Sequence, residues 1–259
     1  MSGPNRLQRI LSDDRGVSET VGFVLVFALI TTTIAVTFTV GLGGLEDAQL
    51  AERDNNVERA FDVLHDNLND ISRDGVPSRA TELRLGGGEL VFERESEFRI
   101  NGTSLERPII ESGSVTYRGA GDTRIVYENG AVFRMQGNNG VMINEPDLLV
   151  GDTLVYTLHG LGGPFQFTQG ERTVLVVGEQ SRRGVVIDDR AADQELTLEI
   201  DSAQASVWRR HYETLEERHD HITVVPDEET DADLVVTFDA DHFDRAVVHR
   251  TTTRVTFSD

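Results

Sequence analysis

The longest apolar segment of the chain lies close to its N-terminus. No charged residue occurs in residues 20–45, and residues 21–40 are apolar apart from glycine and five threonines. Twenty helical residues, each rising about 1.5 Å, span the roughly 30 Å hydrocarbon core of a bilayer. Threonine hydroxyls are tolerable in such a helix because they can donate to carbonyls of the preceding turn. The pattern predicts a membrane-spanning helix, and the alternative is a helix buried in a protein core.

Beyond this segment, apolar residues recur at helical spacing. They form one stripe, which consists of Leu50, Val57, Phe61, Leu64, Leu68 and Ile71. Spacings of three, four and seven place these side chains on one helix face. Gly75 and Pro77 then provide a stop signal. We expect an amphipathic helix that packs on a following domain, with a short coiled coil as the alternative.

After Pro77 the apolar residues alternate with polar ones in short runs, which is typical of strands. Gly86, Gly87 and Gly88 predict one hairpin turn, between strands at 82–85 and 89–93. Asn129 and Gly130 predict a second. A single helix, capped by Ser202 and carrying Trp208, interrupts the strands. A hairpin across residues 226–230 and a last strand at about 245–257 follow it.

The predicted fold class is therefore α+β. A long N-terminal membrane and stalk helix precedes a mostly antiparallel β head domain, a sandwich or barrel-like sheet, with one helix in its C-terminal half.

Composition changes this picture in two ways. The net charge is −21, with 24 cations that are all arginine, and neither lysine nor cysteine is present. Disulfides, thiolate zinc sites and cysteine nucleophiles are thereby excluded, and an acidic surface disfavours nucleic-acid binding. Acidic residues without lysine resemble the composition of proteins from extreme halophiles, where salt screens the repulsion.

Charges around the apolar segment predict its orientation. Arg6, Arg9 and Arg15 precede it, whereas mostly acidic residues at 46–54 follow it. An excess of arginine on one side places the N-terminus in the cytoplasm, so the remainder of the chain is expected outside the cell. A secretory signal peptide is disfavoured because its apolar stretch is shorter.

The junction before the helix carries a family resemblance. Arg15, Gly16, Val17, Ser18 and Gly22 match the archaeal pilin motif R-G-V-S-P-V-I-G in the same frame, although Glu19 replaces its proline. The segment resembles the class III signal of archaeal type IV pilins. That resemblance implies cleavage after Gly16 by a prepilin peptidase, with the apolar helix retained in the mature protein. The alternative is an uncleaved single-span anchor.

Cleavage at this bond would create a new ammonium group at Val17, which Glu19 could neutralise in the same subunit or a neighbouring one. The expected organisation is a leader at 1–16, a transmembrane or filament-core helix at 17–45, an amphipathic stalk helix at 46–76 and an extracellular β-rich head at 77–259.

The sequence thus predicts a pilin-like subunit, minor or accessory, of an archaeal surface filament. Its expected partners are the prepilin peptidase, other pilin subunits bound through the N-terminal helix, and membrane lipid. One alternative is a permanently anchored extracellular β-rich domain for binding or adhesion. A tethered hydrolase is another, although the chain carries no P-loop, G-x-S-x-G or H-E-x-x-H motif.

No catalytic residues, cofactor or metal site are predicted. His219, Asp220 and His221, with His211 nearby, could approach a metal, but a solvated helix end is the favoured interpretation. The acidic residues at 227–233 are interpreted as a solvated turn rather than a calcium loop. Asn101 and Thr103 form a sequon, which outside the cell is a glycosylation candidate, with an ordinary turn as the alternative.

Overall fold

The computed structural model describes residues 14–101, 109–119, 121–137, 139–190, 195–226 and 232–258. The chain divides into two compact units, Met1–Glu52 and Arg53–Asp259. Helix α1 (Asp14–Asn69) is the described element of the first unit, and its last part belongs to the second. A π-helical turn, Asp70–Asp74, follows α1, and Gly75 caps it at φ 71°. The stop signal predicted at Gly75 is confirmed, since glycine adopts this left-handed conformation readily.

Five of the six residues of the predicted apolar stripe are buried within the second unit, whereas Leu50 belongs to the first unit and is half-buried. Val57, Phe61, Leu64 and Leu68 pack with Ile71 of the π-helical turn into a core that includes residues from several strands. Each of these side chains is at most 3% exposed. Burying such a side chain contributes about 1.5–3 kcal/mol. Packing on the β strands therefore holds this part of the helix, as its periodicity predicts.

Within the described residues, fourteen strands form two sheets. The five-stranded sheet has the order β1 (Ser78–Arg84), β10 (Thr173–Arg190), β14 (Arg245–Ser258), β8 (Thr153–Gly162), β7 (Leu148–Leu149). The second sheet has the order β12 (Ile222–Val224), β13 (Leu234–Phe238), β11 (Leu196–Asp201), β2 (Glu89–Asn101), β3 (Ile109–Arg118), β4 (Thr123–Glu128), β5 (Ala131–Gln136), β6 (Asn139–Asn144), with β9 (Gln166–Gln169) paired to β2. All pairs among these strands are antiparallel except β8 with β14, which run parallel. The predicted fold class is confirmed.

Two of the predicted hairpins are confirmed and one is wrong. Strands β4 and β5 pair across Asn129 and Gly130, both at positive φ, and β12 pairs with β13. The predicted pairing across Gly86–Gly88 does not form. Strand β1 pairs with β10 in one sheet, whereas β2 pairs with β3, β9 and β11 in the other. The glycine turn thus passes the chain from sheet to sheet.

Helix α2 (Ala205–Glu216) covers a second core. Its Val207, Trp208 and Tyr212 are buried, and Trp208 packs edge-on against Phe98 and Phe133. Ser202 is not the N-cap, which is Gln204. The Ser202 hydroxyl instead accepts the Gln204 N–H just before the helix, at 2.9 Å. A 3₁₀ turn, Ala240–His242, precedes β14.

Candidate functional site

The uncharged part of α1 exposes its side chains on every face. All side chains from position 19 to 45 are exposed, and Phe23 and Val40 reach 71% and 70%. The described residues contain one helix that is long and apolar enough to cross a membrane, and its most apolar window has a mean hydropathy of 2.3. No side chain of this window is buried within the described chain, as expected for a helix that crosses a membrane. The chain is compatible with a membrane-anchored surface protein.

Three threonines within this segment use their hydroxyl groups in hydrogen bonds to the helix backbone. Thr31, Thr33 and Thr39 donate hydrogen bonds to the carbonyls of Phe27, Leu29 and Ala35, at 2.8, 2.8 and 2.9 Å. Each acceptor lies four residues earlier, which is the bonding pattern expected from the sequence. The apolar surface of the helix is therefore continuous past these polar residues, as a lipid or helix-bundle environment requires.

The residues of the predicted processing site lie at the start of α1. The backbone of Arg15, Gly16 and Val17 is helical, and Glu19 is exposed one turn further on. Residues 1–13 of the predicted leader lie outside the described residues. Gly16 thus lies four residues before the first residue of the uncharged segment, Thr20, in the same helix. The helix must unwind locally before a peptidase can bind the bond in an extended form.

The second unit contains a buried polar network centred on His159 of β8. Its Nδ1 lies 2.9 Å from the Tyr127 hydroxyl and its Nε2 lies 2.8 Å from the Thr253 hydroxyl. Burial, and next the neighbouring His65, lower the pKa of His159 to about 3. A neutral imidazole has one donor and one acceptor nitrogen, so both hydroxyls can be satisfied. His159 is thereby a neutral structural link between β4, β8 and β14.

The turn between β4 and β5 belongs to the same network. Asn129 is fully buried, and its Oδ1 accepts the backbone N–H of His159 at 2.8 Å. His65 of α1 lies with its Nε2 3.0 Å from the Gly130 carbonyl. The sequence predicted this turn but not its burial, because Asn-Gly turns are usually assigned to surface hairpins.

Glu128, next to this turn, is a fully buried carboxyl group. The Ser202 hydroxyl donates to its Oε2 at 3.0 Å, while Oε1 has no hydrogen-bond partner among the described residues. Burial raises the pKa of Glu128 to about 7, and the hydrogen bond from Ser202 opposes this shift. Sequence reasoning missed Glu128, since nothing in a chain with 45 acidic residues distinguishes the buried one.

Three histidines gather at the end of the second core. The ring centroids of His219 and His221 are 5.4 Å apart, and those of His221 and His242 are 5.2 Å apart. The third member is His242, from the 3₁₀ turn, rather than the His211 that the sequence suggested. Among the described residues, no group of three or more histidines and carboxylates is placed to hold a metal ion. The acidic residues 227–231 lie outside the described residues.

Asn101 ends strand β2 and is half-buried. Its Nδ2, the atom that a glycan would modify, donates to Glu199 Oε1 at 3.0 Å. Thr103, the other sequon residue, lies outside the described residues. Glycosylation of Asn101 would require this hydrogen bond to rearrange.

Comparisons with known proteins name no activity. An 80-residue stretch of the chain, 31% of its length, is 26% identical to an uncharacterized protein of Archaeoglobus fulgidus. The match spans about a quarter of that relative's length, 26%. No solved structure matches the chain. The model of a family of unknown function, DUF7289, matches residues 15–256, so the chain belongs to this family.

Proposed function

We propose that this chain is a minor or accessory subunit of an archaeal type IV pilus-like surface filament, made as a membrane-inserted precursor and cleaved after Gly16. One observation carries the proposal. A helical segment without charge, residues 20–45, is exposed on every face and follows Arg15, Gly16 and Val17 after only Ser18 and Glu19. Such a segment needs an apolar environment before assembly and another one after it.

The bilayer and a helix bundle can both supply that environment. Transfer of each exposed valine, leucine, isoleucine or phenylalanine side chain out of water lowers the free energy by about 1.5–3 kcal/mol. When the helix moves from lipid into a helix bundle, this transfer free energy changes little, because both environments are apolar. Close packing between the helices then drives their association. The back-bonded hydroxyls of Thr31, Thr33 and Thr39 favour both environments, since they leave no free donor.

Glu19 has a specific role in this proposal. Cleavage after Gly16 exposes an ammonium group at Val17, two residues away. In an apolar bundle an unpaired charge is costly, so the Glu19 carboxylate neutralises this ammonium in the same or a neighbouring subunit.

The acidic second unit fits a position outside the cell. Removing the leader takes away three arginines and two aspartates, which changes the net charge from −21 to −22. Carboxylates keep such a surface hydrated in concentrated salt. The 243 residues that remain after Gly16 exceed the length expected for a major subunit, which favours a minor one.

A permanently anchored extracellular domain for binding or adhesion is the second candidate. The helical backbone at Arg15, Gly16 and Val17 favours it, because a helical bond resists a peptidase. In this alternative the uncharged helix stays in the membrane, and the β-rich unit binds its ligand from there.

Fractionation of cells of the native host tests the proposal. Filaments are sheared off and separated from membranes for the wild type, Gly16→Val and Gly3→Val, the last being the same change elsewhere in the leader. We expect the wild type and Gly3→Val in the filament fraction, with Gly16→Val confined to the membrane. If the wild type stays wholly in the membrane, the anchored domain replaces the filament subunit. If Gly16→Val enters filaments as the wild type does, assembly does not require cleavage after Gly16 and that part of the proposal is wrong.

A further inference from the structure

Three arginines converge on one cleft of the second unit, although the chain as a whole is strongly acidic. Arg94 comes from β2, Arg182 from β10 and Arg250 from β14, and the cleft they line measures about 450 Å³. That volume is in the usual range for pockets that bind small molecules. Glu111 is the one acidic residue among the described lining residues, and it forms an ion pair with Arg94. The lining therefore carries two positive charges that no carboxylate of the lining balances.

Sheet register brings two of these arginines to the same face. Arg250 lies opposite Gly184 and Arg182 lies opposite Thr252 in the antiparallel β10–β14 pair. Partners in such a pair point to the same side, as do residues two apart on one strand. Arg182 and Arg250 are thus diagonal neighbours, about 7–8 Å apart at the backbone. Thr251, between Arg250 and Thr252, points the other way and is fully buried.

Strand irregularities border the cleft from both sheets. Strand β10 has one extra residue between Gln180 and Arg182, and β2 has one between Glu93 and Ser96, where Arg94 lies. Bulges of this kind redirect side chains and are frequent next to binding sites. Two independent bulges therefore direct Arg94 and Arg182 towards the same space.

Arg250 is incompletely satisfied. Its Nε is buried and has no hydrogen-bond partner among the described residues. Burial, and then the positive charge of Arg182, lower the pKa of Arg250. A buried donor without a partner costs about 1–3 kcal/mol, and an anion that accepts this hydrogen bond would recover that cost.

We infer that this cleft binds a small ligand through an oxyanion, a carboxylate or a sulfate, held between Arg182 and Arg250. A guanidinium group can donate two parallel hydrogen bonds to two oxygens of a planar carboxylate or of a tetrahedral sulfate. The hydroxyls of Ser181 and Thr252, which also line the cleft, can bind hydroxyl groups of the same ligand. An acidic sugar has both features, and so the site favours it over a simple anion.

Equilibrium dialysis of the detergent-solubilised full chain with ³⁵S-labelled sulfate, at constant ionic strength, tests the inference. We expect saturable binding to one site, weakened roughly tenfold or more in Arg182→Gln and Arg250→Gln. Arg84→Gln makes the same charge change at an exposed position outside the cleft and should bind as the wild type does. Thermal unfolding of each variant verifies that it is folded. If Arg250→Gln does not fold, Arg182→Gln alone tests the inference, because the Arg182 side chain is exposed and its loss should not disturb the fold.

Competition experiments identify the kind of ligand. Glucuronate should displace sulfate, acetate should displace it less well, and glucose should have no effect. Equal competition by glucuronate and acetate would mean that the oxyanion alone is recognised, which still supports the site. Absence of saturable sulfate binding, or equal binding by the double variant Arg182→Gln/Arg250→Gln, would overturn the inference.

Discussion

His159 and Glu128 lie in the same buried region, and burial shifts the pKa values of both side chains towards the neutral form. Both are completely buried, with the pKa of His159 lowered to about 3 and that of Glu128 raised to about 7. Burial disfavours the charged form of each, so the histidine loses protons and the carboxyl group keeps its proton. Because unfolding restores their ordinary pKa values, the two groups give stability opposite dependences on pH.

The His159→Gln substitution should reduce acid sensitivity. Unfolding of the wild type takes up a proton between pH 6.5 and about 3, so this contribution is complete above pH 6.5 and is lost as the pH falls. We expect the stability difference between wild type and variant to shrink by about 1.4 kcal/mol per pH unit in that window. Urea unfolding at several pH values measures it. His242→Gln, at an exposed histidine, serves as control, and parallel pH profiles for wild type and His159→Gln would contradict the assignment.

The Glu128→Gln substitution should stabilise the protein at alkaline pH. The buried carboxyl group favours the folded state below pH 4.5, and this advantage is lost as the pH rises to about 7, where the buried charge must form. Glutamine remains neutral, so the free energy of unfolding should exceed that of the wild type above pH 7 by about 3 kcal/mol. Chemical denaturation at pH 8 and pH 5 tests this. Exposed Glu145 offers the matched control Glu145→Gln, and an equal effect at both sites or both pH values would refute the prediction.

Secondary-structure elements differ in how far the sequence predicts them. Helical spacing from Val57 to Ile71 predicts the buried stripe because one helix face must pack on something. The predicted hairpin between β1 and β2 is wrong. A glycine turn between alternating strands has the same sequence pattern whether the second strand pairs with the first or crosses to another sheet. The second half of β10 has no strand signal in the sequence, because polar residues after Gly178 break the apolar alternation.

Long-range sites were beyond sequence reasoning for a similar reason. The strands that carry Arg94, Arg182 and Arg250 are far apart in the chain, and only sheet register and two bulges bring them together. The uncharged helix, by contrast, was predictable because its signal is local and continuous.

Removing one anchor of the buried stripe should destabilise the second unit. Phe61→Ala leaves a cavity between α1 and the strands, at a cost of about 3–5 kcal/mol. For a unit of this size we expect a fall in Tm of roughly 10 °C. Thermal unfolding by circular dichroism measures the change. Val63→Ala, at a side chain of the same helix that is 52% exposed, should change the Tm little. Equal effects of the two substitutions would mean that the stripe does not anchor the helix.

At the scale of the whole molecule, an apolar helix is joined to a highly acidic β-rich unit. With a net charge of −21, the carboxylates repel one another at low ionic strength. Salt screens this repulsion, since the Debye length falls from about 10 Å at 0.1 M to about 3 Å at 1 M. The charge therefore suits a surface exposed to concentrated salt.

Stability should accordingly rise with salt. We expect the Tm of the detergent-solubilised chain to increase steadily from 0.1 M to 3 M KCl, because repulsion among carboxylates is screened. Thermal unfolding in a series of KCl concentrations tests this, with sucrose as an uncharged control for preferential exclusion. A Tm that is constant or decreases with KCl would refute adaptation of the surface to high salt.

Processing at Gly16 is the most direct test of the proposed filament subunit. Intact-mass and N-terminal analysis of the protein from its native host should give a mature chain that begins at Val17 and carries the uncharged helix. In a host that lacks the prepilin peptidase, the protein should retain residues 1–16. A protein from the unmodified host whose N-terminus lies before Arg15 would contradict the proposal and leave a permanently anchored domain.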